Sequence, residues 1–181
     1  KKTERVDSIS KSSHTFGSEI FDEKELIRRI NTYTVRSGHD YIQKLTKEGQ
    51  GKAIEALSKM ANQGNAAAQY TLGNIYGLGL IVPENLKESY KWHKKAAELG
   101  YAPAQRMIGK YYINGTGVPK NLQEGVKWVE KAVEQGDVDA LGIYGFLHSE
   151  GLGVPKNLEK AIECYTQAAG KGNLHSMFVL G

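Results

Sequence analysis

Small and apolar residues recur along this chain at spacings of three and four, and the whole pattern returns every 36 residues. Its most regular members are Gly73, Gly109, Gly145 and Gly181, which stand in the same local context. Spacings of three and four are typical of an amphipathic α-helix, and a period of a few tens of residues is typical of a solenoid. The pattern therefore predicts an all-α chain of stacked repeats.

Each copy divides into two helices joined by a turn. The first helices are predicted over 68–76, 104–112 and 140–148, and the second over 87–98, 123–134 and 159–170. Asn85, Asn121 and Asn157 stand where an N-cap is expected. Glycine inside a helix costs about 1 kcal/mol relative to alanine. Its recurrence in the first helix therefore predicts the close approach of a neighbouring helix.

The turns of the second and third copies carry a Gly-x-Gly-Val-Pro pattern, at 115–119 and 151–155. Glycine permits a positive φ there, and proline prevents the first helix from continuing. In the first copy Ile81 occupies the place of the second glycine. Because a β-branched residue is strained at positive φ, we expect a locally altered turn.

These features divide the chain into six segments. We predict a flexible arm at 1–21, a helical cap or degenerate first repeat at 22–63, full repeats at 64–99, 100–135 and 136–171, and the start of a truncated repeat at 172–181. The arm is rich in Lys, Ser and Thr, and the terminal units of solenoids are usually atypical. The apolar edge at 177–180 has no partner helix in this sequence. It predicts truncation or, less favoured, self-association through that edge.

The run from Gln69 through Tyr76, the Gly-x-Gly-Val-Pro-x-Asn turn and the Lys-Ala-Ala ending of the second helix resemble the Sel1-like repeat. This family belongs to the wider tetratricopeptide-like group of α-solenoids. The resemblance covers 64–181 and repeats in phase. It implies a right-handed superhelix of helix–turn–helix units whose first helices line a concave groove.

The resemblance also implies which side chains face that groove. The expected partner-binding residues are Tyr70, Asn74, Arg106, Lys110, Ile113, Asp139, Phe146, Ser149, His175 and Phe178. They mix aromatic side chains with an arginine and a lysine, types that are enriched at protein interfaces. We expect Arg106 and Lys110 to bind an acidic side chain or a C-terminal carboxylate of a partner peptide or helix.

Composition narrows the classes of partner and the compartment. The formal charge of +4 is spread over mixed Lys and Glu faces, so we expect no nucleic-acid partner. The sequence contains no run of eighteen apolar residues, so we expect no membrane span. It also shows no secretory leader. We therefore expect a soluble protein, with a cytoplasmic and an exported location both open. The single cysteine leaves no intramolecular disulfide framework, which distinguishes this chain from the disulfide-stapled bacterial branch of the Sel1-like family that it resembles.

The sequence does not predict an enzyme, a cofactor or a metal site. It contains no HExxH motif and no paired cysteines. We expect His93 to face solvent or to wedge against the next layer, and His148 to be a packing or surface variant of Tyr112. Cys164 takes the place of Trp92 and Trp128, which are expected in the core. It is expected to be a buried, inert thiol.

Four functions stay open at this level. The leading hypothesis is a non-catalytic scaffold or adaptor that binds a partner peptide or protein in the concave groove. The alternatives are a bacterial immunity or inhibitor protein that neutralises an effector enzyme, and a regulatory fragment of a larger signalling protein. An enzyme is the least favoured class, because no residues form a catalytic constellation.

Overall fold

The computed structural model describes residues 20–32, 41–45, 47–79 and 81–181. Most of the predicted N-terminal arm, 1–19, lies outside these described residues. The helices are α1 (Glu23–Thr32), α2 (Lys47–Asn62), α3 (Ala66–Leu78), α4 (Leu86–Glu98), α5 (Ala102–Asn114), α6 (Leu122–Glu134), α7 (Val138–Glu150), α8 (Leu158–Gly170) and α9 (Leu174–Leu180). Residues 41–44 form a further helical turn.

The helices pack in chain order, as a solenoid requires. Three hairpins, α3–α4, α5–α6 and α7–α8, consist of helices of 13 residues each and repeat at the predicted period. The second helix of each hairpin also packs against the first helix of the next. The core is therefore a row of apolar clusters that each join neighbouring layers. The prediction of an α-solenoid is confirmed.

The second helices begin at the predicted caps. The side chains of Asn85, Asn121 and Asn157 each accept a hydrogen bond from the main-chain N–H three residues later, at 2.9–3.1 Å. Each asparagine has an extended backbone conformation, as an N-cap requires. One side-chain type at one position thus fixes the start of three helices.

The recurring glycines allow the helices of a hairpin to touch. A Cβ added to Gly109 would lie 2.6 Å from Cγ2 of Val129 and 3.0 Å from the carbonyl oxygen of Gly125. A Cβ on Gly73 would lie 2.5 Å from the imidazole ring of His93. Real Cβ atoms do not approach other atoms so closely. The predicted close approach is confirmed.

The turn of the first repeat differs from the others, as the sequence predicts. Gly117 and Gly153 have φ of 71° and 73°, whereas no described non-glycine residue has a positive φ. Ile81 therefore adopts another conformation than its two glycine counterparts. Gly79 and Gly115, which end the first helices, both keep the left-handed conformation.

The two tryptophans pack against the core from its edge, in contrast to the expected position inside it. Trp92 and Trp128 are only half-buried, and each ring is covered by a lysine ammonium, 4.1 Å and 4.3 Å from the ring centroid. Cys164, in contrast, is buried at 2% exposure. Burial raises the pKa of its thiol, which agrees with the expected inert cysteine.

The N-terminal helices α1 and α2 pack against the first hairpin. Leu26, Ile42 and Leu45 are fully buried in one cluster with Leu57 and Leu72. This cluster joins α1, the turn at 41–44, α2 and α3. The assignment of 22–63 as a helical cap or degenerate first repeat stays a prediction. In the part of the chain that the structure describes, no helix combines the length and apolarity needed to cross a bilayer.

Candidate partner-binding groove

Two neighbouring clefts open between the helices of the repeats, and both are lined by Lys110. The inner cleft, of about 210 Å³, lies between α3, α4 and α5. The wide cleft, of about 500 Å³, lies between α5, α7 and α9. We refer to the two clefts together as the groove. The first helices of successive repeats supply most of its lining because they lie side by side in the stack.

Six of the ten predicted site residues line the groove. Asn74 lines the inner cleft, Lys110 lines both, and Arg106, Asp139, Phe146 and His175 line the wide cleft. The Phe146 side chain is 43% exposed, an unusual exposure for a large aromatic residue.

Four predicted site residues lie elsewhere. Tyr70 is 7% exposed and packs in the core, its ring 5.0 Å from His93 and 5.5 Å from Tyr101, centroid to centroid. Ile113 packs against Gly125 and belongs to the apolar contacts of the next layer. Both side chains serve packing, because their neighbours in the second helices leave space for them. Ser149 and Phe178 line neither cleft.

Arg106 is held by two carboxylates. Its Nε lies 3.0 Å from Oδ1 of Asp137, and its Nη2 lies 3.5 Å from Oδ2 of Asp139. The side chains of Arg106 and Asp137 are only 18% and 9% exposed. Asp137 also caps α7 by accepting the main-chain N–H of Ala140 at 2.8 Å. The positive charge of Arg106 is therefore already balanced within the fold.

Lys110 presents an unbalanced charge instead. Its side chain is exposed, and no carboxylate of the described residues lies within ion-pair distance of its ammonium group. Its position at the boundary of the two clefts lets it reach a group bound in either one.

A buried polar cluster forms the floor of the inner cleft. It consists of Ser89, His93 and Tyr111, each at most 5% exposed, with half-buried Asn74 beside them. The Ser89 hydroxyl donates to the carbonyl of Gly73 at 2.6 Å. The Tyr111 hydroxyl lies 2.6 Å from Ser89 Oγ and 3.2 Å from His93 Nδ1. His93 Nε2 lies 3.2 Å from Oδ1 of Asn74.

The hydroxyl protons fix the direction of these contacts: Ser89 donates to Gly73, so Tyr111 donates to Ser89 and accepts from a neutral imidazole with its proton on Nδ1. Nε2 then accepts a hydrogen bond from Asn74 when its side-chain amide is turned so that the NH2 group faces the ring. Burial lowers the pKa of His93 to about 3, and the nearby positive charge of Arg106 lowers it further. A hydrogen bond to the carbonyl of Tyr70 raises this pKa but does not offset the burial. The expectation of a solvent-facing His93 is wrong, whereas its wedging against the neighbouring layer is confirmed.

Sequence reasoning missed this cluster, although the repeat alignment contains its signal. One repeat further along the chain, the positions equivalent to Ser89, His93 and Tyr111 are occupied by Gly125, Val129 and Leu147. Three polar residues thus replace small or apolar ones at equivalent core positions. Tyr111 lies 18 or more residues from Ser89 and His93 in sequence, so the sequence alone does not indicate that the three side chains are in contact.

Comparison with known families identifies the repeats. Residues 66–101, 102–137 and 138–173 each match the family description "Sel1 repeat". The chain belongs to the Sel1 repeat family. Sel1 repeats generally serve as protein–protein interaction modules, and their scaffold is generally non-catalytic. No curated protein matches the chain.

Solved Sel1-type structures agree with this assignment. A Sel1 repeat protein from Oxalobacter formigenes is 34% identical over 74% of this chain and 53% of its own, with a TM-score of 0.67. A protective antigen present in uropathogenic Escherichia coli strains is 32% identical over 86% and 34%, with a TM-score of 0.72. Cysteine rich protein B of Helicobacter pylori is 25% identical over 74% and 96%, with a TM-score of 0.57. The chain thus spans about half and about a third of the length of the first two proteins.

Proposed function

We propose that this Sel1 module binds an acidic segment of a partner protein in the groove, with a carboxylate of the partner on Lys110. The observation that carries the proposal is the difference between the two cations of the groove. Arg106 is neutralised by Asp137 and Asp139, whereas Lys110 is exposed and has no carboxylate partner in the described part of the chain. A carboxylate is the group that completes such a site.

The wide cleft supports the same proposal through its apolar side. Phe146 and Ile143 lie in its wall, and Phe146 is exposed to solvent. Aromatic side chains that become buried at an interface contribute strongly to affinity. A segment that places an apolar side chain on Phe146 and a carboxylate on Lys110 therefore uses both features.

Charge reversal at Lys110 tests the proposal. We expect Lys110→Glu to reduce capture of the partner from a lysate of the source cells by at least about tenfold, because it removes an attraction and adds a repulsion. Lys127→Glu is the matched control, since Lys127 is exposed on α6 and lines neither cleft. Arg106→Glu is unsuitable because it would face Asp137 and perturb the fold.

Capture is read by quantitative mass spectrometry beside far-UV CD melts of each variant. A partner retained by wild type and Lys127→Glu and lost by Lys110→Glu supports the proposal. Equal recovery by all three proteins contradicts it and moves the binding surface away from the groove.

A further inference from the structure

The inner cleft exists because the first repeat lacks one aliphatic side chain. Gly77 stands where the second repeat has Ile113, and Ser89 stands where the second repeat has Gly125. In the second repeat Ile113 fills the gap between the two helices, and a Cβ on Gly125 would lie 2.7 Å from its Cγ1. In the first repeat the Ser89 side chain takes up part of that volume, since its Oγ lies 2.6 Å from the position of a Cβ on Gly77, and both residues line the cleft.

The polar side chains on the floor of the inner cleft do not need a hydrogen-bonding group from an occupant. Ser89, His93 and Tyr111 satisfy one another, together with Asn74 and the carbonyl of Gly73. A polar group that already has its partners gains little from a polar ligand.

The walls are mostly apolar. Leu78, Leu86 and Met107 line the cleft, and Leu78 is 58% exposed. The polar lining outside the floor consists of Lys110, Asn114 and Thr116. No carboxylate lies among the residues that line it. Apolar walls over a satisfied floor favour an apolar occupant, and the exposed leucine gains from being covered.

We propose that the inner cleft binds one aliphatic side chain of the partner segment, between Leu78, Leu86 and Met107 and next to the Gly77–Ser89 pair that replaces Ile113 and Gly125. The identity of the second-repeat residue argues for an aliphatic occupant, since Ile113 packs there against the equivalent helix. Lys110 at the cleft boundary places the acidic residue of the segment next to this aliphatic one. The inference rests on the proposed function and names the second element that the groove recognises.

Neutral side-chain probes test the cleft separately from Lys110. N-acetylleucinamide carries the aliphatic group without a carboxylate, and N-acetylglycinamide is its matched control. We expect N-acetylleucinamide to cause saturable NMR shifts of the backbone amides of Gly77 and Leu78. N-acetylglycinamide should bind at least about tenfold more weakly, as expected for the loss of a buried leucine side chain.

A variant that copies the second repeat closes the cleft. Gly77→Ile combined with Ser89→Gly introduces the Ile113–Gly125 arrangement, and we expect it to abolish the shifts caused by N-acetylleucinamide. If far-UV CD shows that this variant does not fold, Met107→Ala replaces it and should weaken binding by about fivefold through the loss of one apolar wall.

Three results overturn the inference: no saturable shift, equal shifts with N-acetylglycinamide, or unchanged binding by the folded variant that is tested. Tighter binding of N-acetylphenylalaninamide overturns the aliphatic assignment. Because all the probes are neutral, their failure leaves the Lys110 experiment unaffected. Loss of the charge effect at Lys110 likewise leaves the result of the probes intact.

Discussion

Arg106 Nε lies 3.0 Å from Oδ1 of Asp137, and this ion pair joins the first helices of two neighbouring repeats. The same aspartate caps α7, so one carboxylate both starts a helix and fixes the spacing between layers. The pair also removes the charge of Arg106 from the groove. Lys110, one helical turn further along α5, is therefore the cation that remains available to a partner.

The two roles of Asp137 can be separated by substitution. Asp137→Asn keeps an N-cap side chain but removes the ion pair, and we expect it to lower the free energy of unfolding by about 1–3 kcal/mol because Arg106 stays partly buried. Asp137→Ala also removes the cap and should cost about 1 kcal/mol more. Urea denaturation followed by far-UV CD measures both differences.

Asp139→Asn provides the control for Asp137. The Asp139 side chain is 62% exposed, so the same chemical change should alter stability by less than about 0.5 kcal/mol. If Asp137→Asn is as stable as Asp139→Asn, the pair between Arg106 and Asp137 does not hold the layers together.

The glycine of the first helix gives a second stability prediction. Gly109→Ala places a Cβ 2.6 Å from Val129 Cγ2 and 3.0 Å from a main-chain oxygen, and we expect a loss of about 1–3 kcal/mol despite the better helix propensity of alanine. Gly51→Ala is the matched control, because nothing lies within 4 Å of the added Cβ.

Thermal melts of Gly109→Ala and Gly51→Ala test whether close helix contact requires glycine at position 109. Gly51→Ala should stabilise α2 by up to about 1 kcal/mol, since only the propensity of the residue changes there. Similar melting temperatures for both variants would show that close helix contact does not explain the recurrence of glycine.

His93 predicts a dependence of stability on pH. Its pKa is about 3 in the folded protein against 6.5 for an unperturbed histidine. As the pH falls from 6.5 towards 3, His93 becomes protonated in the unfolded chain but stays neutral in the folded protein. The free energy of unfolding therefore decreases as the pH falls. The loss at pH 5 should reach about 2 kcal/mol relative to pH 7.

His93→Val, which copies Val129 of the second repeat, should remove this dependence. The variant lacks the hydrogen bonds of the imidazole, but its stability relative to wild type should improve as the pH falls from 7 to 5. Other titrating groups are shared by both proteins and cancel in the difference. Parallel profiles of the two proteins over this range would contradict the buried neutral imidazole.

The repeat pattern was sufficient to predict the fold, because periodic glycines and asparagine caps act locally and recur three times. The caps Asn85, Asn121 and Asn157 depend only on the residues that follow them, so the start of each second helix could be predicted. The altered turn at Ile81 followed from the steric limits on a β-branched residue.

Side-chain orientation could be predicted less well, because it depends on the partner helix. The family resemblance places Tyr70 in the groove, but its ring packs in the core beside His93 and Tyr101. The resemblance also predicts that Arg106 binds a partner carboxylate, yet Asp137, 31 residues away in sequence, neutralises its charge. Neither contact follows from helical periodicity.

Self-association through the apolar surface of α9 stays a prediction. Leu174 and Phe178 are 79% and 85% exposed. Analytical ultracentrifugation of wild type and Phe178→Asp at low and high protein concentration tests this prediction. A wild-type dimer that Phe178→Asp dissociates supports self-association. A wild-type protein that is monomeric at both concentrations contradicts it.

Site-specific photo-crosslinking tests the central claim, that the partner lies in the groove, most directly. A photoreactive benzoylphenylalanine replaces Phe146 in the wide cleft in one protein, and Ile162 on α8, exposed and outside both clefts, in the other. Each protein is irradiated in a lysate of the source cells. We predict a covalent adduct with one partner protein from position 146 and none from position 162. Crosslinking to that partner from position 162 alone would contradict the account.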